Sequence, residues 1–175
     1  MKLTGANRWA FDMGNEHVLN PFKQQRHNHA RCIKTALTNA ERACNKSGLR
    51  LTPIRRQVLE LIWHSHAPIK AYELLEHLHK DNPRAAPPTV YRALEFLQQA
   101  GLVHRLESLN AFVGCGDPSE PHIGQFLICQ ECGAVAEIND PSITRALTKE
   151  AQQLGFATDQ QIVEIKGRCP TCKLT

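Results

Sequence analysis

The stretch PPTVYRALEFLQQAGLVHRLESLNAFVG, Pro87 to Gly114, decides the fold. Val90, Ala93, Leu94 and Leu97 recur at helical spacing, so a helix is expected from Pro88 to Gln99, with Gly101 at its C-terminal end. Leu102–Leu106 and Ala111–Gly114 read as two short strands joined by Glu107-Ser108-Leu109-Asn110, a β-hairpin. With those four apolar residues turned inward, Tyr91, Arg92 and Glu95 point away from the core.

Three more helices are expected upstream. From His29 to Lys46, Ile33, Leu37, Ala40 and Cys44 recur at helical spacing, and Gly48 ends the run. Thr52-Pro53 opens the next, with Thr52 as N-cap, Pro53 at the first helical position and Val58, Leu59, Ile62 and Trp63 inward. A third covers Ala71–Lys80, with Leu74, Leu75 and Leu78 inward, and Asn82-Pro83 breaks it. Helix, helix, helix, hairpin is the order of a winged helix-turn-helix, in which the last helix enters the DNA major groove.

Downstream the pattern changes. Gln125–Cys129 and Ala134–Ile138 read as strands around a Cys-x-x-Cys turn. Asp140-Pro141 caps a helix to about Leu154, and Gln161–Lys166 is a further strand before a second Cys-x-x-Cys. The fold class is therefore α+β: a winged-helix domain over residues 29–112, then a small α/β domain over 113–175 that carries both Cys-x-x-Cys pairs. Residues 1–28 show no periodicity and are expected to be a mobile N-terminal extension.

Composition narrows the function classes. No apolar run approaches the ~18 residues of a membrane span, and the N-terminus lacks the apolar core of a secretory signal. A cytoplasmic protein without membrane contact is expected. Residues 1–50 hold nine Lys/Arg against three Asp/Glu, whereas residues 108–175 hold five against eight. The basic front suits a polyanion and the acidic rear does not.

Cys129-x-x-Cys132 and Cys169-x-x-Cys172 are separated by 36 residues. Each pair on a tight turn can face one ion, and two such turns complete a tetrahedral sulfur site that selects zinc or iron. Four protein ligands leave no open position, so the expected role is structural. Single pairs of this spacing also serve thiol redox chemistry, but at a helix N-terminus; these are expected at strand ends.

From about Ala40 to Cys172 the sequence resembles the ferric uptake regulator family, in its zinc uptake regulator branch. The resemblance is carried by Leu51-Thr52-Pro53-Ile54-Arg55-Arg56-Gln57-Val58-Leu59, Ala71-Tyr72-Glu73-Leu74-Leu75 and Pro87-Pro88-Thr89-Val90-Tyr91-Arg92-Ala93-Leu94. It continues through Gly101-Leu102-Val103-His104-Arg105-Leu106-Glu107-Ser108 and Ile128-Cys129-Gln130-Glu131-Cys132-Gly133-Ala134-Val135-Ala136-Glu137.

The resemblance implies a second, regulatory metal site on His104, Cys115, His122 and Glu137. A thiolate with two imidazoles and one carboxylate favours tetrahedral zinc over iron, and its two negative charges balance Zn²⁺. It implies that residues 113–175 form a zinc-binding dimerisation domain, with two zinc ions per chain, a homodimer, and a double-stranded DNA operator read by Tyr91, Arg92, Arg55 and Thr89. Function follows as a zinc-responsive transcriptional repressor, of zinc-uptake genes, and not an enzyme. The alternatives are a relative sensing iron, manganese, nickel or peroxide, and more distantly a zinc- or thiol-dependent enzyme. The family's third metal position reads Leu154-Gly155-Phe156 and Asp159-Gln160-Gln161 here, poor in ligands. His27, His29 and Cys32 read as a solvated helix start, and Cys44 as core.

Overall fold

Four helices pack around one apolar core, and their ends follow local chemistry. In the computed structural model, residues 16–22, 29–64 and 67–174 are described; His27 lies outside them. Helix α1 (His29–Lys46) buries Leu37, Ala40 and Cys44. It stops where Gly48 takes a φ of 66°, which lets the Leu49 amide donate back to the Cys44 carbonyl at 2.8 Å. Helix α2 (Pro53–Trp63) begins after an extended Thr52 whose hydroxyl makes no capping bond, so Pro53 carries the start alone. Helix α3 (Ala71–Asp81) is capped from within, Glu73 accepting from the Lys70 amide at 2.7 Å.

Helix α4 (Pro87–Gln99) buries Val90, Ala93, Leu94 and Leu97, the four residues its spacing turned inward. Each fully buried Val or Leu contributes roughly 1.5–3 kcal/mol. The chain then forms an antiparallel hairpin of β2 (Val103–Leu106) and β3 (Ala111–Gly114), with His104 opposite Val113. Asn110, at φ 47°, closes its turn, and Ile69 bridges to Phe112, tying the wing to the linker before α3. The expected domain break after residue 112 falls inside β3, which runs on to Gly114.

The second half is built on a four-stranded sheet in the order β1-β5-β4-β6. Strand β1 is Val18–Asn20, β4 Gly124–Cys129, β5 Val135–Ile138 and β6 Ile162–Gly167. Helix α5 (Pro141–Gln153) and the one-turn helix α6 (Pro170–Lys173) complete it. β4 pairs antiparallel with β5 and parallel with β6. Asp140 caps α5 through the Ser142 amide at 2.8 Å. Leu106, Leu109 and Val113 of the wing pack with Phe126, Ile128, Val135 and Ile162 of the sheet.

Part of the segment expected to be a mobile extension is a strand of this sheet. Val18 pairs with Ile138 and Asn20 with Glu137, and the Asn139 amide donates to the His17 carbonyl at 2.7 Å. Three residues are too few to show an alternation, so only the partner strand defines them as β.

Candidate metal centres and DNA-facing helix

Cys129 closes β4, and Cys132 follows on a turn completed by Gly133, whose φ of 71° lets its amide reach the Cys129 carbonyl at 3.0 Å. Because β4 and β6 run parallel, they end on the same side, with Cys129 in register with Gly167. Two residues on, Cys169 brings in the second pair. The knuckles are joined by the Gln130 amide donating to the Gly167 carbonyl at 2.9 Å, and the Cys169 amide to Cys129 Sγ at 3.3 Å.

The sulfurs of Cys129, Cys132, Cys169 and Cys172 all lie within 4.8 Å of one another. Cys132 and Cys169 stand 3.7 Å apart, the edge of a tetrahedron with metal–sulfur bonds of about 2.3 Å. Backbone amides of Cys132 and Cys169 hold the Cys129 thiol down at about 6, while the hydrogen bonds the Cys172 thiol donates toward Cys169 and Cys132 push it up to about 12. Four thiols this close cannot all ionise unaided, and a dication supplies the missing charge. The second pair is not at a strand end as expected, because Cys169 stands at the N-terminal boundary of α6, where its thiol makes no capping bond. What separates this group from a redox pair is the convergence of both pairs on one point.

His104, Cys115, His122 and Glu137 form the other such group, again within 4.8 Å. β2 supplies His104, the residue after β3 supplies Cys115, the loop before β4 supplies His122 and β5 supplies Glu137. Cys115 is fixed by its amide, which donates to the Leu102 carbonyl at 3.0 Å. His122 Nδ1 lies 3.0 Å from the Glu120 carbonyl. With Nδ1 donating there, Nε2 faces Cys115 Sγ at 3.6 Å and Glu137 Oε1 at 2.8 Å: protonated it donates to the carboxylate, and neutral it has a lone pair to offer an ion.

Glu137 is only 2 % exposed, a buried carboxylate that needs compensation. Burial pushes its carboxyl up, but the imidazoles of His104 and His122 and the Gly116 amide at 2.7 Å outweigh that and hold it at about 2. Burial first, and then the Glu137 charge, push the Cys115 thiol well above its ordinary value. His104 Nε2 lies 2.8 Å from Glu137 Oε1 yet is buried without a hydrogen bond. An imidazole nitrogen and a carboxylate oxygen this close, yet poorly aligned for a hydrogen bond, suit a shared cation. The residues fit zinc: a soft thiolate, two nitrogens and one oxygen.

Tyr91, Arg92 and Glu95 are exposed along one edge of α4, Tyr91 at 60 %. Thr89 is half-buried in its first turn. Arg55 is differently employed: its guanidinium donates to the Arg50 carbonyl at 2.7 Å and stacks 3.5 Å from the centre of the Phe96 ring. The sequence left unseen the groups that orient the ligands, namely the Gly116 amide and the Glu120 carbonyl. Backbone groups carry no residue-type signal.

Comparison with known proteins agrees with this architecture. The model of the ferric uptake regulator family matches residues 46–166. The zinc uptake regulation protein of Escherichia coli strain K12 is 40% identical over 137 residues, covering 78% of this chain and 80% of that protein. The peroxide operon regulator of Bacillus subtilis strain 168 is 27% identical over 136 residues, covering 78% of this chain and 92% of its own. A solved zinc uptake regulator in complex with zinc and DNA superposes with a TM-score of 0.77 at 38% identity, over 81% of this chain and 95% of that one. Holo XcZur superposes at 0.75 with 46% identity, over 81% of this chain and 99% of its own. With the family pattern matched over most of its length and two cysteine-containing ligand groups assembled, this chain belongs to the ferric uptake regulator family.

Proposed function

We propose that this protein is a zinc-responsive, DNA-binding transcriptional repressor of zinc-uptake genes, working in the cytoplasm as a homodimer with two zinc ions per chain. The observation that carries the reading is the set His104, Cys115, His122 and Glu137, drawn together from wing, hinge, loop and sheet. An ion held there ties the wing to the sheet, so filling the site favours one arrangement of the two halves. A ligand shifts a conformational equilibrium only by its differential affinity for the two states, and ligands from both halves supply that difference.

Cys129, Cys132, Cys169 and Cys172 hold the structural ion. The DNA-binding unit runs to Gly114, and the dimerisation unit begins at Cys115. Arg92 reads a guanine edge or a phosphate and Tyr91 a thymine methyl or a phosphate, with Thr89 beside them. Arg55 acts on DNA through the backbone, from a guanidinium that also braces α4.

The dimer reading rests on an unpartnered apolar surface. α5 buries none of its residues, and Leu147, Leu154, Phe156 and Ile165 are exposed. β6 is moreover an edge strand, and exposed apolar residues beside an open edge favour association. No described helix is long and apolar enough to cross a membrane.

Zinc is favoured over iron or manganese by Cys115, whose thiolate is a softer donor than those metals prefer. Closed four-ligand sets at both groups argue against an enzyme, since hydrolytic zinc needs an open position. The test is a DNA-binding titration against free zinc, with iron and manganese as controls. Zinc-dependent binding by a dimer is expected; zinc-independent binding, or none, refutes the reading.

A further inference from the structure

A second connection between the halves lies outside both cysteine groups. Glu164, on β6 opposite Phe126 of β4, reaches the turn of the wing. Its Oε1 accepts from the Glu107 amide at 2.6 Å and its Oε2 from the Ser108 amide at 3.2 Å. The two donors are consecutive N–H groups at a tight turn, a small anion-binding nest. A neutral turn–strand contact needs no carboxylate there, and a solvated glutamate has no reason to face two amides from 56 residues away. The contact sits at the rim of the apolar cluster in which Leu106 and Leu109 meet Phe126 and Ile162.

We infer that Glu164 is a positioning residue: its carboxylate latches the wing turn to the dimerisation sheet and so biases the protein toward the arrangement in which His104 meets Cys115, His122 and Glu137. The inference rests on the proposed function for its consequence on DNA, but not for the latch itself. Wing strand β2 carries His104 two residues before Leu106 and three before Glu107. Holding the turn therefore holds the strand that delivers a ligand. The latch and the metal site stabilise the same arrangement, so each strengthens the other. Hydrogen bonds to a charged acceptor are strong enough for a shift of roughly tenfold in that equilibrium.

The latch differs from a DNA contact in what it does to zinc. Glu164→Ala should weaken zinc binding at the second, weaker site by roughly tenfold. Zinc-dependent DNA binding should move to higher free zinc by the same factor and recover once zinc saturates. A direct DNA contact would instead leave zinc affinity alone and change DNA affinity at saturation.

The experiment uses the full-length zinc-loaded dimer as wild type, Glu164→Ala and Glu164→Gln. Zinc affinity is read by chelator competition, and amide exchange is followed at Glu107 and Ser108. DNA binding is read on a duplex enriched from a random pool by the wild-type protein. Glu164→Ala should keep its dimer mass and one tightly held zinc per chain, while the Glu107 and Ser108 amides exchange faster. Glu164→Gln, whose carbonyl still accepts from Glu107, should restore part of both effects. Unchanged zinc affinity and unchanged exchange in Glu164→Ala would overturn the latch, as would a Gln variant no better than Ala. Failure of the wild type to enrich any duplex would refute the proposed function instead, and the zinc and exchange measurements would still decide the latch.

Discussion

The indole of Trp63 occupies the space into which a side chain on Gly114 would project: a Cβ there would come within 2.2 Å of the ring. The last helix turn of α2 and the end of β3 thus touch one residue before Cys115, and the absence of a side chain at Gly114 sets where that cysteine begins.

Gly114→Ala should therefore act on both stability and metal binding. The rigid ring or the strand must shift, at a cost of about 1–3 kcal/mol for such overpacking. We expect a lowered thermal midpoint together with weaker binding of the second zinc. A variant with wild-type melting and zinc affinity would show that the hinge absorbs a methyl group freely.

Cys129→Ser and Cys169→Ser should cost the fold or the dimer. A structural zinc contributes folding free energy on the order of 10 kcal/mol, and these two thiols are also buried where β4 and β6 end. Native mass spectrometry and circular dichroism check it. A well-folded, dimeric Cys129→Ser protein contradicts the structural assignment.

Cys115→Ser separates sensing from scaffolding. The protein should fold, dimerise and keep one zinc per chain, because the four-cysteine group is untouched. A serine hydroxyl is a poor zinc donor at neutral pH, so the second ion should bind far more weakly, and excess zinc should restore DNA binding only partly. If Cys115 served packing alone, zinc would remain at two per chain and only stability would fall. Zinc content and DNA affinity measured on one preparation distinguish the two.

Arg92→Ala should weaken binding to the cognate duplex by roughly 1–3 kcal/mol while leaving zinc content and melting unchanged. Arg92 is exposed on α4, beside Ala93 and Leu94, which are buried. Truncating it therefore removes no core contact. A gel shift indistinguishable from wild type would remove Arg92 from the interface.

Much of this protein is legible from local spacing. The apolar periodicity of α4 named its four buried residues, and the proline and glycine punctuation put helix ends within a residue or two. The Cys-x-x-Cys pairs announced themselves because both ligands of a pair lie within one turn. Local spacing is a property of neighbouring residues, and helices and tight turns are made by neighbours.

The remaining features were decided in three dimensions. His104, Cys115, His122 and Glu137 became a ligand set in the sequence only through resemblance, because four single residues on a strand, a hinge, a loop and another strand share no period. Their convergence depends on the wing packing against the sheet through Leu106 and Phe126. The joining of the two cysteine pairs depends on β4 and β6 running parallel, a register set by the crossover through β5 and α5. Strand β1 and the Glu164 contact are likewise invisible locally: three residues cannot show an alternation, and a carboxylate has no partner until the chain folds back. Periodicity records which face of an element is buried; which elements then meet is fixed by long-range packing.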